Sequence, residues 1–294
     1  MSHILAVANQ KGGVAKTTTV ASLGAALAEA GRRVLLVDLD PQGCLTFSLG
    51  LDPEALPLSV HDVLLGRVSA ATAVQPTEDG PDLLPATIDL AGCEAVLLGR
   101  DGREYVLRHA LAPLLTRYDD ILIDCPPSLG VLTLNGLTAA GEVLIPLQPE
   151  TLAHRGVGQL IDTVHDVQRL TNPGLRVIGV LPTLHDARTV HARDVLDDIA
   201  DRYGVPVLEP SIPRSIRFAE APAGGRSVLA TAPRARGSVA YRTLAATLAA
   251  RWPVVTPPPA PRRRPPRRRS SEVVGDVLDD DPGARRPARQ RRAR

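Results

Sequence analysis

The stretch Lys11-Gly12-Gly13-Val14-Ala15-Lys16-Thr17-Thr18 stands between an apolar run and a segment with helical spacing. The apolar run, residues 3–8, suits a buried parallel strand, and apolar residues recur every three or four positions over 17–30. A glycine-containing loop that joins a strand to a helix brings backbone N–H groups to the helix N-terminus, where they bind phosphate. The stretch therefore predicts an α/β fold whose first loop holds a phosphate chain.

Lysine occurs in this chain only within that loop. Lys11 and Lys16 are the only lysines among 34 basic residues; the others are all arginine. A compact ammonium and a planar guanidinium are not interchangeable at a tight phosphate site. We expect Lys16 to reach the β- and γ-phosphates and the Thr17 hydroxyl to bind Mg²⁺. The predicted nucleotide-binding residues are Lys11, Gly12, Gly13, Val14, Ala15, Lys16, Thr17 and Thr18.

Strands and helices alternate along the rest of the chain. This order predicts a doubly wound, mostly parallel sheet with helices on both faces. With the phosphate loop after its first strand, the arrangement resembles the P-loop NTPase fold. We expect one domain over residues 1–252. Predicted strands lie at 33–37, 83–84, 121–124, 143–146, 176–181 and 205–208, and predicted helices at 60–65, 91–98, 105–115, 159–170, 190–202 and 239–251.

Two aspartates follow predicted strands beside the loop. Asp40 stands after the strand 33–37, and we expect it to orient an attacking water; the alternative is that it caps the turn before Pro41. Asp124 ends the apolar run 121–123, which is the Walker B form, and we expect it to hold Mg²⁺. The alternative for Asp124 is an ordinary strand-terminal carboxylate.

The last 42 residues differ in composition from the rest. Residues 253–294 contain 12 Arg, five acidic residues and 9 of the 27 prolines, so the segment carries +7 and residues 1–252 carry −5. Such a segment cannot bury enough apolar surface to offset its ordering entropy, and we predict a disordered basic tail. Clustered arginines there could hold phosphates loosely, or simply be solvated.

Several protein classes are disfavoured by composition. No apolar run approaches the ~18 residues that a spanning helix needs. The N-terminus lacks the basic region of a secretory signal, and Cys44, Cys93 and Cys125 share no metal-ligand spacing. We therefore expect a reduced, cytoplasmic protein.

The loop resembles the deviant Walker A motif, K-G-G-x-G-K-T, of the ParA/MinD class of P-loop ATPases. Ala15 stands where the class has glycine, and a left-handed backbone there would cost roughly 1–2 kcal/mol. Four further segments resemble the ParA/Soj family of partitioning ATPases: residues 38–43, 84–92, 124–128 and 212–222.

This resemblance implies an ATPase that uses ATP and Mg²⁺ and turns over slowly alone. ATP drives a sandwich homodimer, in which Lys11 reaches the nucleotide of the second copy and Gly12 lies close to it. Pro213, in the family's C-terminal signature, joins the nucleotide-binding residues. By the same resemblance Lys11, Lys16 and Asp40 are the catalytic residues.

The resemblance also implies partners and a cellular role. The dimer binds DNA without sequence preference, a ParB-type centromere-binding protein stimulates hydrolysis, and the cycle segregates a chromosome or plasmid on the nucleoid. A basic face in the C-terminal third is expected to contact DNA. Its candidate arginines are Arg188, Arg217, Arg226, Arg234 and Arg236.

Three other functions remain open at this point. A MinD-like ATPase that cycles on a membrane needs a C-terminal amphipathic helix, whereas this chain ends in proline and arginine, so we expect no stable membrane association. A metabolic ligase or synthetase of the same class needs a second polar pocket. A nucleotide-bound scaffold that hardly hydrolyses is compatible with Ala15.

Overall fold

A seven-stranded sheet forms the centre of the molecule. The computed structural model describes residues 2–151, 153–185, 190–252 and 254. The strand order is β3-β4-β2-β5-β1-β6-β7, and all neighbours are parallel except β3 and β4. The strands are β1 His3–Val7, β2 Val34–Asp38, β3 Gln75–Pro76, β4 Asp82–Leu84, β5 Asp120–Asp124, β6 Glu142–Leu147 and β7 Arg176–Pro182.

Helices connect the parallel strands. The long ones follow the predicted apolar spacing, and several short helices lie in the connections. They are α1 Lys16–Glu29, α2 Cys44–Ser48, α3 Val60–Leu64, α4 Ala70–Ala73, α5 Leu90–Leu98, α6 Val106–Leu111, α7 Val131–Ala139, α8 Ala153–Leu170, α9 Val190–Tyr203, α10 Arg217–Glu220, α11 Val228–Thr231 and α12 Arg236–Ala249.

Each face of the sheet has its own apolar core. In β5, Ile121 and Ile123 enter one core and Leu122 enters the other, as the alternation of a strand requires. Helices α1 and α12 cover the Leu122 face, and α7 and α8 belong to the opposite core. The predicted doubly wound, mostly parallel fold is therefore confirmed.

One predicted strand is wrong. Residues 205–208 form only an isolated parallel bridge, in which Val207 pairs with Val180 of β7. The N–H of Val180 donates to the carbonyl of Pro206, and the N–H of Leu208 donates to the carbonyl of Val180. Because Pro206 has no N–H, it cannot extend this ladder.

Helix α8 begins at Ala153, six residues before the predicted start at Gln159. Gly156 and Gly158 weaken the helical signal of this first part, since glycine is a poor helix former. Tertiary contacts account for both glycines. A Cβ on Gly156 would lie 3.4 Å from Asn9 Oδ1, and one on Gly158 only 2.8 Å from the hydroxyl of Tyr203.

Buried charges close the sheet at the amino ends of its strands. Arg32 makes a two-pronged ion pair with Asp120, and both side chains are almost fully buried. Trp252 stacks on His3 with ring centroids 3.8 Å apart and donates from Nε1 to Glu142 at 3.1 Å. These contacts fix the chain at Trp252, the last residue of the predicted domain.

The predicted tail, residues 253–294, lies outside the described residues apart from Val254. Its disorder and the domain boundary stay predictions. Within the described part of the chain, no helix combines the length and apolar character needed to cross a membrane.

Candidate functional site

The loop between β1 and α1 leaves its backbone donors open. Among the described residues, none of the N–H groups from Gly12 to Thr18 has a protein acceptor; the first helical bond runs from the N–H of Thr19 to the carbonyl of Ala15, at 2.9 Å. The start of α1 has no side-chain cap and no acidic residue in its first turn. Open donors at the positive end of a helix dipole attract anions, so the loop fits a phosphate chain.

Ala15 has the left-handed backbone that its class reserves for glycine. Its φ is 64° and its ψ 33°, and Gly13 has φ 74°. The Ala15 methyl group therefore costs roughly 1–2 kcal/mol of strain. A Cβ built on Gly12 would meet no heavy atom within 4 Å, so nothing in this chain itself requires glycine at that position.

The two lysines have different surroundings. Lys16 is buried and its Nζ donates to the carbonyl of Lys11 at 3.1 Å. Burial lowers the pKa of Lys16, against the opposing field of Asp124. Lys11 is half-exposed, and its Nζ lies 2.6 Å from Glu150 Oε2. A desolvated ammonium held mainly by a carbonyl gains most when an anion enters the loop.

Two residues that sequence reasoning missed hold the loop in place. Asn9 is buried, donates from Nδ2 to the carbonyl of Pro146 at 2.7 Å and accepts from the N–H of Lys11 at 3.0 Å. Thr183 donates from Oγ1 to the carbonyl of Val14 at 2.9 Å. An amide directly after a buried strand could have indicated Asn9; Thr183 has no such signal.

Asp124 is a buried carboxylate that lies beside the Thr17 hydroxyl without reaching hydrogen-bond geometry with it. It is 0% exposed, and neither of its oxygens accepts a hydrogen bond among the described residues. Burial raises its pKa well above the usual range and the Asp38 carboxylate adds to the shift, whereas the Thr17 hydroxyl and the Lys16 ammonium oppose it. An unpartnered buried carboxylate costs several kcal/mol unless a cation joins it.

These residues fit a magnesium ion. Asp124 and Thr17 supply the oxygen ligands that Mg²⁺ prefers, and phosphates and waters usually complete its octahedron. The described part of the chain contains no cluster of three or more His, Cys, Asp or Glu side chains suited to a metal. A site with one carboxylate therefore depends on the nucleotide for its other ligands.

Asp38, next to Asp124 in the strand register, has its oxygens occupied. Its Oδ2 accepts from the N–H and the hydroxyl of Thr46, at 2.9 and 2.8 Å, and the Thr46 hydroxyl accepts from the N–H of Ala86. Burial raises the pKa of Asp38 to about 6. The sequence did not indicate a role for Asp38 or Thr46. Their hydrogen bonds connect β2, α2 and the segment after β4.

Asp40 takes part in a turn. Its Oδ1 accepts from the N–H of Gln42 at 2.9 Å, as expected if Asp40 caps the turn at Pro41. Its Oδ2 accepts no hydrogen bond among the described residues. A catalytic role for Asp40 stays a prediction, since both functions are compatible with this geometry.

A cleft of about 1020 Å³ opens beside the loop. Pro213 and Leu184 line it, and so does Glu150, the partner of Lys11. Leu184 follows Thr183, whose hydroxyl binds the loop. No residue from Lys11 to Thr18 lines this cleft, and a nucleotide contact by Pro213 stays a prediction.

The five candidate DNA-binding arginines differ in exposure and in whether an acidic residue already pairs with them. Arg226 pairs with Asp79 at 2.5 Å and with Glu78 at 3.2 Å, and Arg217 pairs with Glu220 at 2.9 Å. Arg234 is exposed, and Arg236 is exposed and lines the cleft that contains Pro213. Arg188 lies outside the described residues. Their contact with DNA stays a prediction for all five.

Comparison with known proteins supports the same interpretation. A family model described as an AAA domain matches residues 2–177. The sporulation initiation inhibitor protein Soj of Bacillus subtilis is 44% identical over 251 residues, which cover 85% of this chain and 99% of Soj. The chromosome partitioning protein ParA of Caulobacter vibrioides is 43% identical over 252 residues, covering 85% and 94%.

The chain belongs to the ParA/Soj family of P-loop ATPases. A solved Mycobacterium smegmatis structure, described as cobyrinic acid a,c-diamide synthase, is 59% identical with a TM-score of 0.77, and the match covers 87% of this chain and 100% of that one. It contains an ATP analogue and magnesium, and a second structure contains ADP and magnesium. These ligands agree with the predicted cofactors, ATP and Mg²⁺.

Proposed function

We propose that this chain binds ATP and Mg²⁺ at the loop Gly12–Thr18 and hydrolyses the ATP to ADP and phosphate. The observation that carries the proposal is the uninterrupted run of open N–H groups beside the unpartnered carboxylate of Asp124. Both features cost stability in the nucleotide-free fold, and a triphosphate with its cation satisfies both.

Each residue has a distinct part in this proposal. The open N–H groups and Lys16 bind the β- and γ-phosphates, and Thr17 and Asp124 hold the magnesium ion, which neutralises phosphate charge when bound. A cation beside Asp124 favours its ionised form, against the burial that raises its pKa. The base and sugar occupy the cleft lined by Pro213.

Hydrolysis requires a positioned water, and we assign that role to the free Oδ2 of Asp40. Turnover by one chain alone is slow in this proposal, because Lys11 is engaged by Glu150 and its target is the nucleotide of a second copy. ATP thus drives formation of a homodimer, and the dimer completes the catalytic site.

The proposed role is partition of a chromosome or plasmid in the cytoplasm. In this scheme the ATP-bound dimer binds nucleoid DNA without sequence preference, and a ParB-type protein stimulates hydrolysis and releases it. The names of the Soj and ParA relatives support this role.

The oligomeric state with ATP, ADP and no nucleotide tests the proposal. Native protein should be a dimer only with ATP, Lys16→Ala should remain a monomer, and Asp40→Ala should stay an ATP dimer on DNA. Sedimentation velocity with labelled duplex DNA measures all three states. If both variants behave like native protein, the assigned roles are wrong.

The contribution of the basic tail needs a separate measurement. Neutralising Z phosphates gives a salt slope of about −0.9Z for duplex DNA. Removal of residues 253–294 should therefore flatten the slope of DNA affinity against salt concentration. An unchanged slope would exclude the tail from the DNA contact.

A second candidate function is amide synthesis, because the M. smegmatis structure carries the name of a diamide synthase. Incubation with cobyrinic acid, ATP and a nitrogen donor, followed by mass spectrometry, tests it. Partition predicts no amide product and ATP turnover that responds to DNA and a ParB-type protein. A MinD-like membrane cycle would instead appear as ATP-dependent co-sedimentation with liposomes.

A further inference from the structure

A second cation shares a groove with Lys11. The groove has a volume of about 500 Å³ and lies between the nucleotide loop and the first turn of α8. Lys11 and Arg155 line it, together with the amide side chains of Gln10 and Gln159. Pro127, Leu147 and Ala153 also line it, and Lys11 is paired with Glu150, so Arg155 is the cation of this groove that is available to an anion.

Arg155 stands where a helix disfavours positive charge. It is exposed, lies in the first turn of the 18-residue helix α8, and has no acidic residue in that turn. Arg169, in the last turn of the same helix, pairs with Asp166 at 2.8 Å. Arg155 forms no ion pair with any described residue, so its charge at the positive end of the helix dipole is not neutralised by a contact within the described fold.

The two sides of the groove form one rigid corner. Asn9 Oδ1 accepts from the N–H of Lys11, and the same atom lies 3.4 Å from the position that a Cβ on Gly156 would take. Asn9 is buried and bound to the end of β6 through Pro146. The backbone at Arg155, the neighbour of Gly156, therefore lies close to the loop that carries Lys11.

We propose that Arg155 is a second cation acting between subunits, which binds the phosphate oxygens of the nucleotide held by the other copy of the chain. This inference rests on the proposed ATP-driven dimer and adds to it a residue on α8. Lys11 and Arg155 would contact the same triphosphate from one side. The unpaired charge of Arg155 and its share of the Lys11 groove carry the inference.

The dimer dissociation constant in a non-hydrolysable ATP analogue with Mg²⁺ tests it. Arg155→Ala should raise this constant about 10- to 100-fold, as loss of a charge-assisted contact predicts. Arg155→Glu should raise it further, and Arg155→Lys should recover part of the loss. Arg169→Ala, a change of an exposed arginine on the same helix, should leave it unchanged. Sedimentation equilibrium measures all four variants.

Different failures have different meanings. If Arg155→Ala dimerises like native protein while Lys11→Ala does not, the inference is overturned and the proposed function stands. If native protein does not dimerise with the analogue, the proposed function itself fails. Thermal unfolding checks that each variant is folded. If Arg155→Ala unfolds at a lower temperature than native protein, the dimer dissociation constants of Arg155→Lys and Arg155→Glu test the inference instead.

Discussion

The two ends of the same strands differ in whether their charged and polar groups have protein partners. At the amino ends, Arg32 and Asp120 neutralise each other, and Glu142 accepts hydrogen bonds from His3, Trp252 and Arg176. At the carboxyl ends, Asp124 and the N–H groups of the nucleotide loop have no protein partner among the described residues. Strands β2, β5 and β6 are buried along their whole length, so the difference between their ends lies in which polar groups the fold satisfies. Satisfied groups stabilise the fold, and unsatisfied ones indicate the binding site.

Breaking the satisfied end should have the largest effect. Arg32→Ala leaves the buried Asp120 carboxylate without its partner, and loss of one member of a buried ion pair costs about 3–5 kcal/mol. Urea unfolding of the nucleotide-free protein measures this. Arg169→Ala, which breaks an exposed pair, should change the free energy of unfolding by less than about 1 kcal/mol.

The affinity for ATP tests whether the two ends of the sheet act independently. Folded Arg32→Ala protein should bind ATP with the native dissociation constant, because Arg32 lies away from the nucleotide loop. A loss of affinity comparable to that of a loop variant would refute the independence of the two ends.

Lys16→Ala should have the next largest effect, on binding rather than on stability. Loss of a charge-assisted contact to phosphate weakens binding by about 1.5–3 kcal/mol, or roughly 10- to 150-fold. The free energy of unfolding should not fall, since the variant removes a buried ammonium that burial already disfavours. Titration with a fluorescent ATP analogue gives the affinity. Lys16→Arg should bind weakly too, because a guanidinium does not replace the compact ammonium; native affinity in Lys16→Arg would contradict the proposed fit.

The sequence predicted the unsatisfied end better than the satisfied one. The positions of Lys16 and Thr17 follow from local order, because strand, loop and helix are adjacent in the chain. Asp124 was predicted from the apolar strand that it ends, and the pairing of β5 with β1 brings it to the loop. The Arg32–Asp120 pair joins residues 88 positions apart, and Trp252 reaches His3 from the far end of the domain. Nothing in the local pattern indicates such contacts.

The same reasoning explains the errors at element boundaries. The first turns of α8 contain two glycines that only packing against Asn9 and Tyr203 explains, so periodicity placed the start too late. The strand at 205–208 was predicted from its apolar character, whereas Pro206 prevents its ladder from extending. Asp40 was assigned to catalysis from its place at a strand end and by resemblance, with a turn cap as the alternative; its hydrogen bond with the N–H of Gln42 fits that alternative, and the catalytic role stays a prediction.

The pH dependence of stability should come from the two buried aspartates at the carboxyl ends of β2 and β5. Burial raises the pKa of Asp38 to about 6, and burial with repulsion from Asp38 raises that of Asp124. The folded state therefore binds more protons than the unfolded state between about pH 4 and 6, and stability falls as pH rises through this window. We expect a loss of about 1–3 kcal/mol in the nucleotide-free protein, measured by urea unfolding.

Asp124→Asn is the matched variant for this measurement. The amide keeps the shape of the side chain but cannot ionise, so it removes the proton that burial and the Asp38 carboxylate make Asp124 retain in the folded state. The fall in stability between pH 4 and 6 should therefore become shallower in the variant. An unchanged slope would assign the pH dependence to other carboxylates.

Ala15→Gly should have the smallest effect and the clearest sign. Glycine adopts the left-handed backbone of this position without the methyl strain, so the free energy of unfolding should rise by about 1 kcal/mol. The greater entropy of glycine in the unfolded chain offsets part of this gain. Thermal unfolding measures the gain, and Ala21→Gly, a change inside helix α1, should instead lose about 0.5–1 kcal/mol. The ATPase rate of Ala15→Gly then separates a hydrolase from a scaffold. A rate well above native would mean that strain at Ala15 limits turnover, as a poorly hydrolysing scaffold requires. An unchanged rate would mean that the loop already has its working conformation. Strain at Ala15 would then affect stability alone.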